Sequence, residues 1–334
     1  MTATTAGLGA SRSRPIDAVA GWARRNSWTA SLIAFLVLLL VFTRMIQPNY
    51  GATGVQGLAI SVMPLALAAV AQAIVVISGG LDLSVGSMMA LTSVVSASLM
   101  KDQTPEFAFL VVVGVLLLGL ALGAVNGSLV VLTRVPDIVV TLAMSFVWAG
   151  CALLVLRTPG GGSARWLRDL ILGSAGNEWI PKAAVAVLVI VAVIWLPLRR
   201  SRLGLSLYAV GSNQLAAFRS GVSVGRTKVA AYMLTGLFAA LAGISLTAST
   251  GIGTPVPGPY TLQSVAAVVL GGVSLAGGTG GVFGPVVAVV ILQLIRTDMT
   301  FLNVNTNLAT VAQGVILVGV VMIGSLIHIR RSRA

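Results

Sequence analysis

Residues 199–228 read RRSRLGLSLYAVGSNQLAAFRSGVSVGRTK, and the fold follows from how this stretch sits between its neighbours. It carries Arg199, Arg200, Arg202, Arg219, Arg226 and Lys228 without one acidic residue, and apolar runs lie on both sides. Basic side chains resist translocation, so a short basic interval between apolar runs marks the inner face of a membrane protein. Within it, residues 212–221 predict a short helix, with Ser212 or Asn213 capping its start and Gly221 supplying a left-handed stop. Two turns cannot persist alone in water, because nucleation costs more than so few hydrogen bonds return. The helix must be docked, and Leu215, Phe218 and Val222 offer an apolar face at spacings of three and four. Two dockings fit these residues: against the chain's own membrane helices, or against a partner.

Composition agrees with this placement. Of 334 residues, 57% are hydrophobic and only 9% charged, and the mean hydropathy is +1.01. Repeated apolar runs of about 20 residues then mean an all-α polytopic membrane protein rather than a soluble domain. Ten spans are expected, at 29–42, 55–77, 85–100, 107–132, 138–156, 183–198, 229–250, 262–275, 282–295 and 308–327. They make one transmembrane domain, 29–327, between basic cytoplasmic tails at 1–28 and 328–334. No small-x-small cleavage site follows the first run, so it reads as an uncleaved anchor. With both termini inside, fourteen of the 21 lysines and arginines fall on the inner face. The net charge of +13 gathers at the ends of apolar runs, where lipid and orientation explain it, so no nucleic-acid partner is expected.

Within the spans, Pro64 predicts a kink. Gly119, Gly123 and Gly127, four apart, predict a close helix–helix contact. The segment 157–182, with Gly160, Gly161, Gly162, Trp166 and Trp179, reads as an external loop. The lone Cys151 lies in an apolar run and excludes a disulfide framework.

Two glycine-rich breaks, SGGLDLSVGS at 78–87 and GGVSLAGGTGG at 271–281, interrupt apolar runs that are otherwise continuous. Non-helical backbone near membrane depth survives only where protein buries it or a watery cavity wets it. Gly79, Gly80, Asp82, Ser84, Gly86, Gly271, Gly272, Ser274, Gly277 and Gly278 are therefore candidates for the translocation path or its gating. Asp82 stands out, since a carboxylate in a membrane is costly unless capped or hydrated. It fits an N-cap of the helix carrying Ser84. The cap is the favoured reading, and direct work on a substrate or a gate is the alternative.

No G-x-x-x-x-G-K-S/T phosphate loop exists, because Lys101, Lys182 and Lys228 are followed by Asp, Ala and Val. Energy from ATP would have to come from another chain. An ion-coupled carrier or channel is the alternative. Such proteins place carboxylates or histidines in the membrane, whereas here Asp82 is the sole acidic candidate and His328 is terminal. No G-x-S-x-G, H-E-x-x-H or metal-ligand cluster appears, so no catalytic, metal or cofactor residue is assigned.

The residues at 78–87, Val135-Pro136-Asp137-Ile138-Val139-Val140-Thr141-Leu142, Tyr208-Ala209-Val210-Gly211-Ser212-Asn213 with Ala216-Ala217 and Ser220-Gly221-Val222, and Val269-Leu270-Gly271-Gly272-Val273-Ser274-Leu275-Ala276-Gly277-Gly278 resemble the permease subunits of ribose-type ABC sugar importers. The four motifs occur in the family's order, from about residue 51 to the C-terminus. The resemblance implies a bacterial inner-membrane subunit that works with a second permease chain, a cytoplasmic ATPase holding ATP and Mg, and a periplasmic sugar-binding protein. It also implies that Asn213, Leu215, Ala216, Ala217, Phe218, Ser220 and Gly221 form a coupling helix seated in the ATPase. The chain departs from the family in having Gln214 and Leu215, where acidic residues are common. The sugar itself, pentose, hexose or related furanose, is open.

Overall fold

The computed structural model describes residues 27–305 apart from 257, together with 308, 311, 314, 315 and 319. Nearly all of both basic tails and of the expected tenth span lies outside the described residues. The other nine spans are helices. They are α1 (Ser27–Ile46), α2 (Ala52–Ile77), α3 (Val85–Met100), α4 (Pro105–Thr133), α5 (Asp137–Val155), α7 (Lys182–Arg200), α10 (Val224–Thr250), α11 (Tyr260–Leu270) and α12 (Phe283–Phe301). Seven are long and apolar enough to cross a bilayer, while α3 and α11 are shorter. The remaining elements are a short helix α6 (Arg165–Asp169), an antiparallel hairpin of β1 (Ser174–Ala175) and β2 (Asn177–Pro181), and helices α8 (Arg202–Ser212) and α9 (Gln214–Arg219).

The layering follows from side-chain size. Helix α2 lies at the centre and is buried continuously from Val62 to Ile77, much of it alanine and valine. Around it pack α10, α12, α11 and α7. Helix α3, rich in serine and small residues, buries 0% exposed Ser84, Thr92, Ser93 and Ser96 against its neighbours. Helices α1, α5 and α7 instead turn Leu38, Phe146, Leu154 and Val193 outward, as lipid-facing surfaces do. The glycine ladder on α4 is a packing device, as expected. A Cβ on Gly127 would lie 2.9 Å from Val229 Cα of α10, and one on Gly119 would lie 2.5 Å from the Gly236 carbonyl oxygen. Local signals set the ends of α4. Thr104 accepts a hydrogen bond from Phe107 N at 3.4 Å, Pro105 opens the helix, and Arg134 closes it in a left-handed conformation at φ 57°.

Helix α2 continues through Pro64. Two expectations need correcting. The eighth span ends at Leu270 rather than 275, because the glycine-rich break starts there. The interval 199–228 is not a loop bearing one short helix: it holds α8 as well, whose Leu207 and Val210 are buried. The segment 157–182 is tied to the rest of the chain, with Gly160 and Gly253 exchanging backbone hydrogen bonds at 3.1 and 2.8 Å. Gln56 Nε2 also donates to the Glu178 carbonyl at 2.8 Å. Since α7 separates the hairpin from α8, the molecule has a hairpin end and a loop end about 28 Å apart.

Candidate coupling and translocation site

Helix α9 is fixed at both ends by its own sequence. Asn213, with extended backbone, accepts a hydrogen bond from Ala216 N at 2.9 Å and is the cap. Gly221 has φ +85°, and Val222 N–H closes back on the Ala217 carbonyl at 3.0 Å. Ala217 is buried, whereas Leu215 is 59% exposed and Phe218 67%. Val222 is half-buried. The two large apolar side chains of α9 therefore point away from the chain's own membrane helices, and Ser220 is exposed beside them.

Immediately before α9, the chain meets both glycine-rich breaks at one point. Gly278 N–H donates to the Ile77 carbonyl, the last of α2, at 2.9 Å. Gly211 lies against that hydrogen bond: a Cβ there would overlap the Ile77 oxygen and come within 2.6 Å of Gly278 N. Gly277 and Gly79, both at positive φ, pack backbone to backbone beside them, with a Gly277 Cβ only 2.8 Å from Gly79 Cα. Tyr208 donates to the Gly280 carbonyl at 2.8 Å. Three chain segments touch here through backbone alone, which only glycine permits. The breaks thus lie at the loop end, joined to α9. The other half of the second break serves α1: Trp28 Nε1 donates to the Leu270 carbonyl at 2.9 Å, beside Gly272. Gly271 packs on Gly284 and Pro285, and Ser274 folds its own turn by accepting from Ala276 N at 3.2 Å.

Asp82 is fully buried in a hydrogen-bonded chain. Its Oδ1 accepts from Ser84 N at 2.8 Å and Ser84 Oγ at 2.6 Å. Asn126 of α4 donates to Ser84 Oγ at 2.7 Å and approaches Asp82 Oδ2 at 3.5 Å. Trp148 of α5 donates to Asn126 Oδ1 at 3.2 Å. On the other side, with its amide assigned so that nitrogen faces the Asp82 carbonyl, Gln72 donates to that carbonyl at 2.9 Å and accepts from the Asp82 N–H at 3.3 Å. The N-cap of α3 is Ser84, not Asp82; Asp82 supports that cap from two residues upstream. Gly86 N–H, in the first turn of α3, donates to Thr261 Oγ1 at 3.0 Å.

A second cluster joins the far end of the 199–228 interval to the same break. Lys228 Nζ lies 3.7 Å from Asp137 Oδ1, and Tyr232 donates to Asp137 Oδ2 at 3.1 Å. Gly80 leaves room for that carboxylate, since a Cβ would sit 2.7 Å from Asp137 Oδ2. Thr141 Oγ1 and Tyr232 Oη both approach the Leu81 carbonyl at 3.3 Å, and Leu83 N–H donates to Thr141 Oγ1 at 3.1 Å.

Sequence reasoning passed over Gly211, Gln72, Asn126, Trp148, Tyr232 and Asp298. Asn126 and Gln72 carried a signal, as uncharged polar side chains deep in apolar runs. Asp298 is buried on α12 against α1, and was missed because the ninth span reaches 301 instead of 295. Among the described residues, no group of His, Cys, Asp and Glu could hold a metal ion.

No solved structure matches the chain. Its relatives in sequence are transport proteins. It is 32% identical over 297 residues to the ribose import permease protein RbsC of Escherichia coli, covering 88% of this chain and 92% of that one. It is 31% identical over 255 residues to the D-allose transport system permease protein AlsC of Escherichia coli, covering 75% and 77%. It is 27% identical over 329 residues to the autoinducer 2 import system permease protein LsrD of Escherichia coli, covering 92% and 95%. A family profile matches residues 54–324, which include both breaks, the 199–228 interval and the Asp82 chain. This chain belongs to that family, the permease components described as branched-chain amino acid transport system / permease component.

Proposed function

We propose that this chain is the membrane-spanning permease subunit of an ATP-driven sugar importer, passing a monosaccharide inward while a separate ATPase supplies the energy. It is a multi-pass protein of the bacterial inner membrane, and a permease rather than an enzyme. The family description names amino acids, but the relatives are named for ribose, D-allose and autoinducer 2, which supports a sugar. The observation that carries the reading is the position of α9. Its two large apolar side chains are exposed, and its flanks run straight into the two breaks.

A partner docking on Leu215 and Phe218 would be mechanically connected to Gly79, Gly277 and Gly278. The partners in this reading are a second permease chain, a cytoplasmic ATPase that binds ATP and Mg, and a periplasmic sugar-binding protein. The Arg-rich, acid-free surface around α9 favours an acidic groove on the ATPase. Sugar uptake in cells with and without the ATPase subunit tests the proposal. Uptake should require the ATPase, and equal uptake without it would instead support the ion-coupled alternative.

A further inference from the structure

By sequence, residues 251–261 belong to an external loop between the seventh and eighth spans. In the structure they descend into the protein. A Cβ on Gly253 would lie 2.7 Å from Ala97 Cβ and 2.9 Å from Val94 Cα, near the hairpin end of α3. Thr254 N–H donates to Ser93 Oγ at 3.4 Å, and Thr261 Oγ1 accepts from Gly86 N–H at 3.0 Å. Gly86 and Ala97 are about 16 Å apart along the α3 axis, so Thr261, at the start of α11, lies roughly that distance below Gly253. Thr261 then lies about 21 Å below Met100, well inside a hydrocarbon layer about 30 Å thick.

The sequence there is Thr254-Pro255-Val256-Pro257-Gly258-Pro259. Pro255 and Pro259 bring no N–H donor to a place where donors find few partners. The carbonyls stay. Those of Thr254, Pro255, Val256 and Gly258 accept no hydrogen bond from any described residue. One side of the segment is also open: Val256 is 63% exposed and Leu262 is 62%, and Gly258 and Pro259 are exposed between them. Unpaired carbonyls are not tolerated against lipid, so irregular backbone at this depth must be buried in protein or line water.

We propose that residues 254–256 and 258–262 line the water-filled translocation path, and that the carbonyls of Thr254, Pro255, Val256 and Gly258 accept hydrogen bonds from the hydroxyls of a neutral polyhydroxylated solute. The solute class rests on the importer reading above; the wetness of the path does not. Every hydroxyl of such a solute can both donate and accept, so it can pair with these carbonyls and with the N–H groups beside them.

The test is thiol accessibility in the whole transporter, with Cys151→Ala as background and Val256→Cys or Leu262→Cys introduced singly. Phe146→Cys and Leu154→Cys, 72% and 87% exposed on α5, serve as lipid-facing controls. Permeabilised membranes are treated with a charged methanethiosulfonate, which reacts with the thiolate and so requires water at the site. The expected result is labelling at Val256→Cys and Leu262→Cys at least about tenfold faster than at either control. Rates equal to the controls would mean that lipid or a second copy covers the segment, and would overturn the proposal. If only one of the two variants reaches the membrane, the other decides. A panel of pentoses and hexoses, supplied with ATP, the ATPase and the binding protein, should slow labelling in at least one case. Fast labelling with no protection by any of them would overturn the solute contact and leave the path wet, which separates failure of the sugar reading from failure of the geometry.

Discussion

Gly211→Ala is the substitution that most directly probes the junction between α9 and the two breaks. The added methyl would overlap the Ile77 carbonyl oxygen and lie 2.6 Å from Gly278 N, where carbon contacts are comfortable only at about 3.5 Å or more. About 1 Å of separation must open between segments that have no side chains to yield. The Gly278 N–H to Ile77 hydrogen bond, 2.9 Å long, lies in the way and breaks first. Leaving those groups buried and unpaired costs about 1–3 kcal/mol, and the displaced backbone a further 1–3 kcal/mol or so. A total of about 2–6 kcal/mol is large against the roughly 5–15 kcal/mol that holds a typical domain folded. The variant should therefore insert, melt at lower temperature in detergent, and import poorly. Two controls separate the contact from the mere loss of glycine. Gly114→Ala meets nothing within 4 Å inside α4 and should be neutral or stabilising by up to about 1 kcal/mol. Gly221→Ala also meets open space but sits at φ +85°, so it should cost only about 1 kcal/mol. A Gly211→Ala protein with wild-type melting temperature and uptake would refute the three-segment contact.

Phe218→Ala should leave the melting temperature of the isolated permease unchanged, because the ring is 67% exposed, yet weaken co-purification of the ATPase by about 2–4 kcal/mol; unchanged co-purification would move the contact elsewhere in 199–228. Lys228→Gln should leave ATP hydrolysis intact while raising the ATP consumed per sugar by about fivefold or more in proteoliposomes, with Lys228→Arg close to wild type; an unchanged ratio would reduce the Lys228–Asp137 pair to a local contact. Asp82→Asn keeps an oxygen for both Ser84 hydrogen bonds and should assemble and transport at a cost of about 1 kcal/mol; normal assembly without transport would assign the charge itself a role. With Cys151 removed, cysteine at exposed Ala175 should label from the periplasm and cysteine at exposed Ser212 only from the cytoplasm; labelling of both from one side would overturn the topology.

How much of this was legible in the sequence depended on whether a feature is local. Spans show as apolar runs, and nine of them are helices close to where hydropathy places them. The ends of α9 were legible because capping is a relation between neighbours, Asn213 with Ala216 and Gly221 with Ala217. The α4 glycines were legible as a pattern, though not Gly236, which meets Gly119 and Gly123 from 113 or more residues downstream. Where the pattern failed, two readings competed at short range. Leu203, Leu205 and Leu207 lie among arginines and glycines, so α8 reads as loop by polarity although its Leu207 and Val210 are buried. Glycines and prolines punctuate turns at any depth, so the interval between the seventh and eighth expected spans shows nothing of its position, and only contacts with α3 place Gly253, Thr254 and Thr261.

The candidate site illustrates the limit more sharply, since each of its parts was visible and their union was not. The breaks were separate motifs almost two hundred residues apart, and α9 was a third. What joins them is Gly211, a residue with no chemistry of its own. Its placement has a mechanical consequence. From the N-terminal end of α9, backbone contact runs through Ser212 and Gly211 to Ile77 and Gly278. From its C-terminal end, the chain leads through Val222 and the start of α10 to Lys228, its pair Asp137 and, through Tyr232, the Leu81 carbonyl. Both routes finish on the first break, four residues apart, and they differ in compliance. The glycine route has no side chain to bend, so it transmits displacement; the Lys228–Asp137 route is a partly exposed ion pair that can open without disturbing the core. A helix held rigidly at one end and releasably at the other turns its target about the rigid point. The segment so turned is Leu81 to Ser84, whose Asp82 is tied through Asn126 to Trp148 on α5. A push at Phe218 would therefore reach α3 and α5 as a rotation of the break, with the rigid contact at Gly211 as pivot.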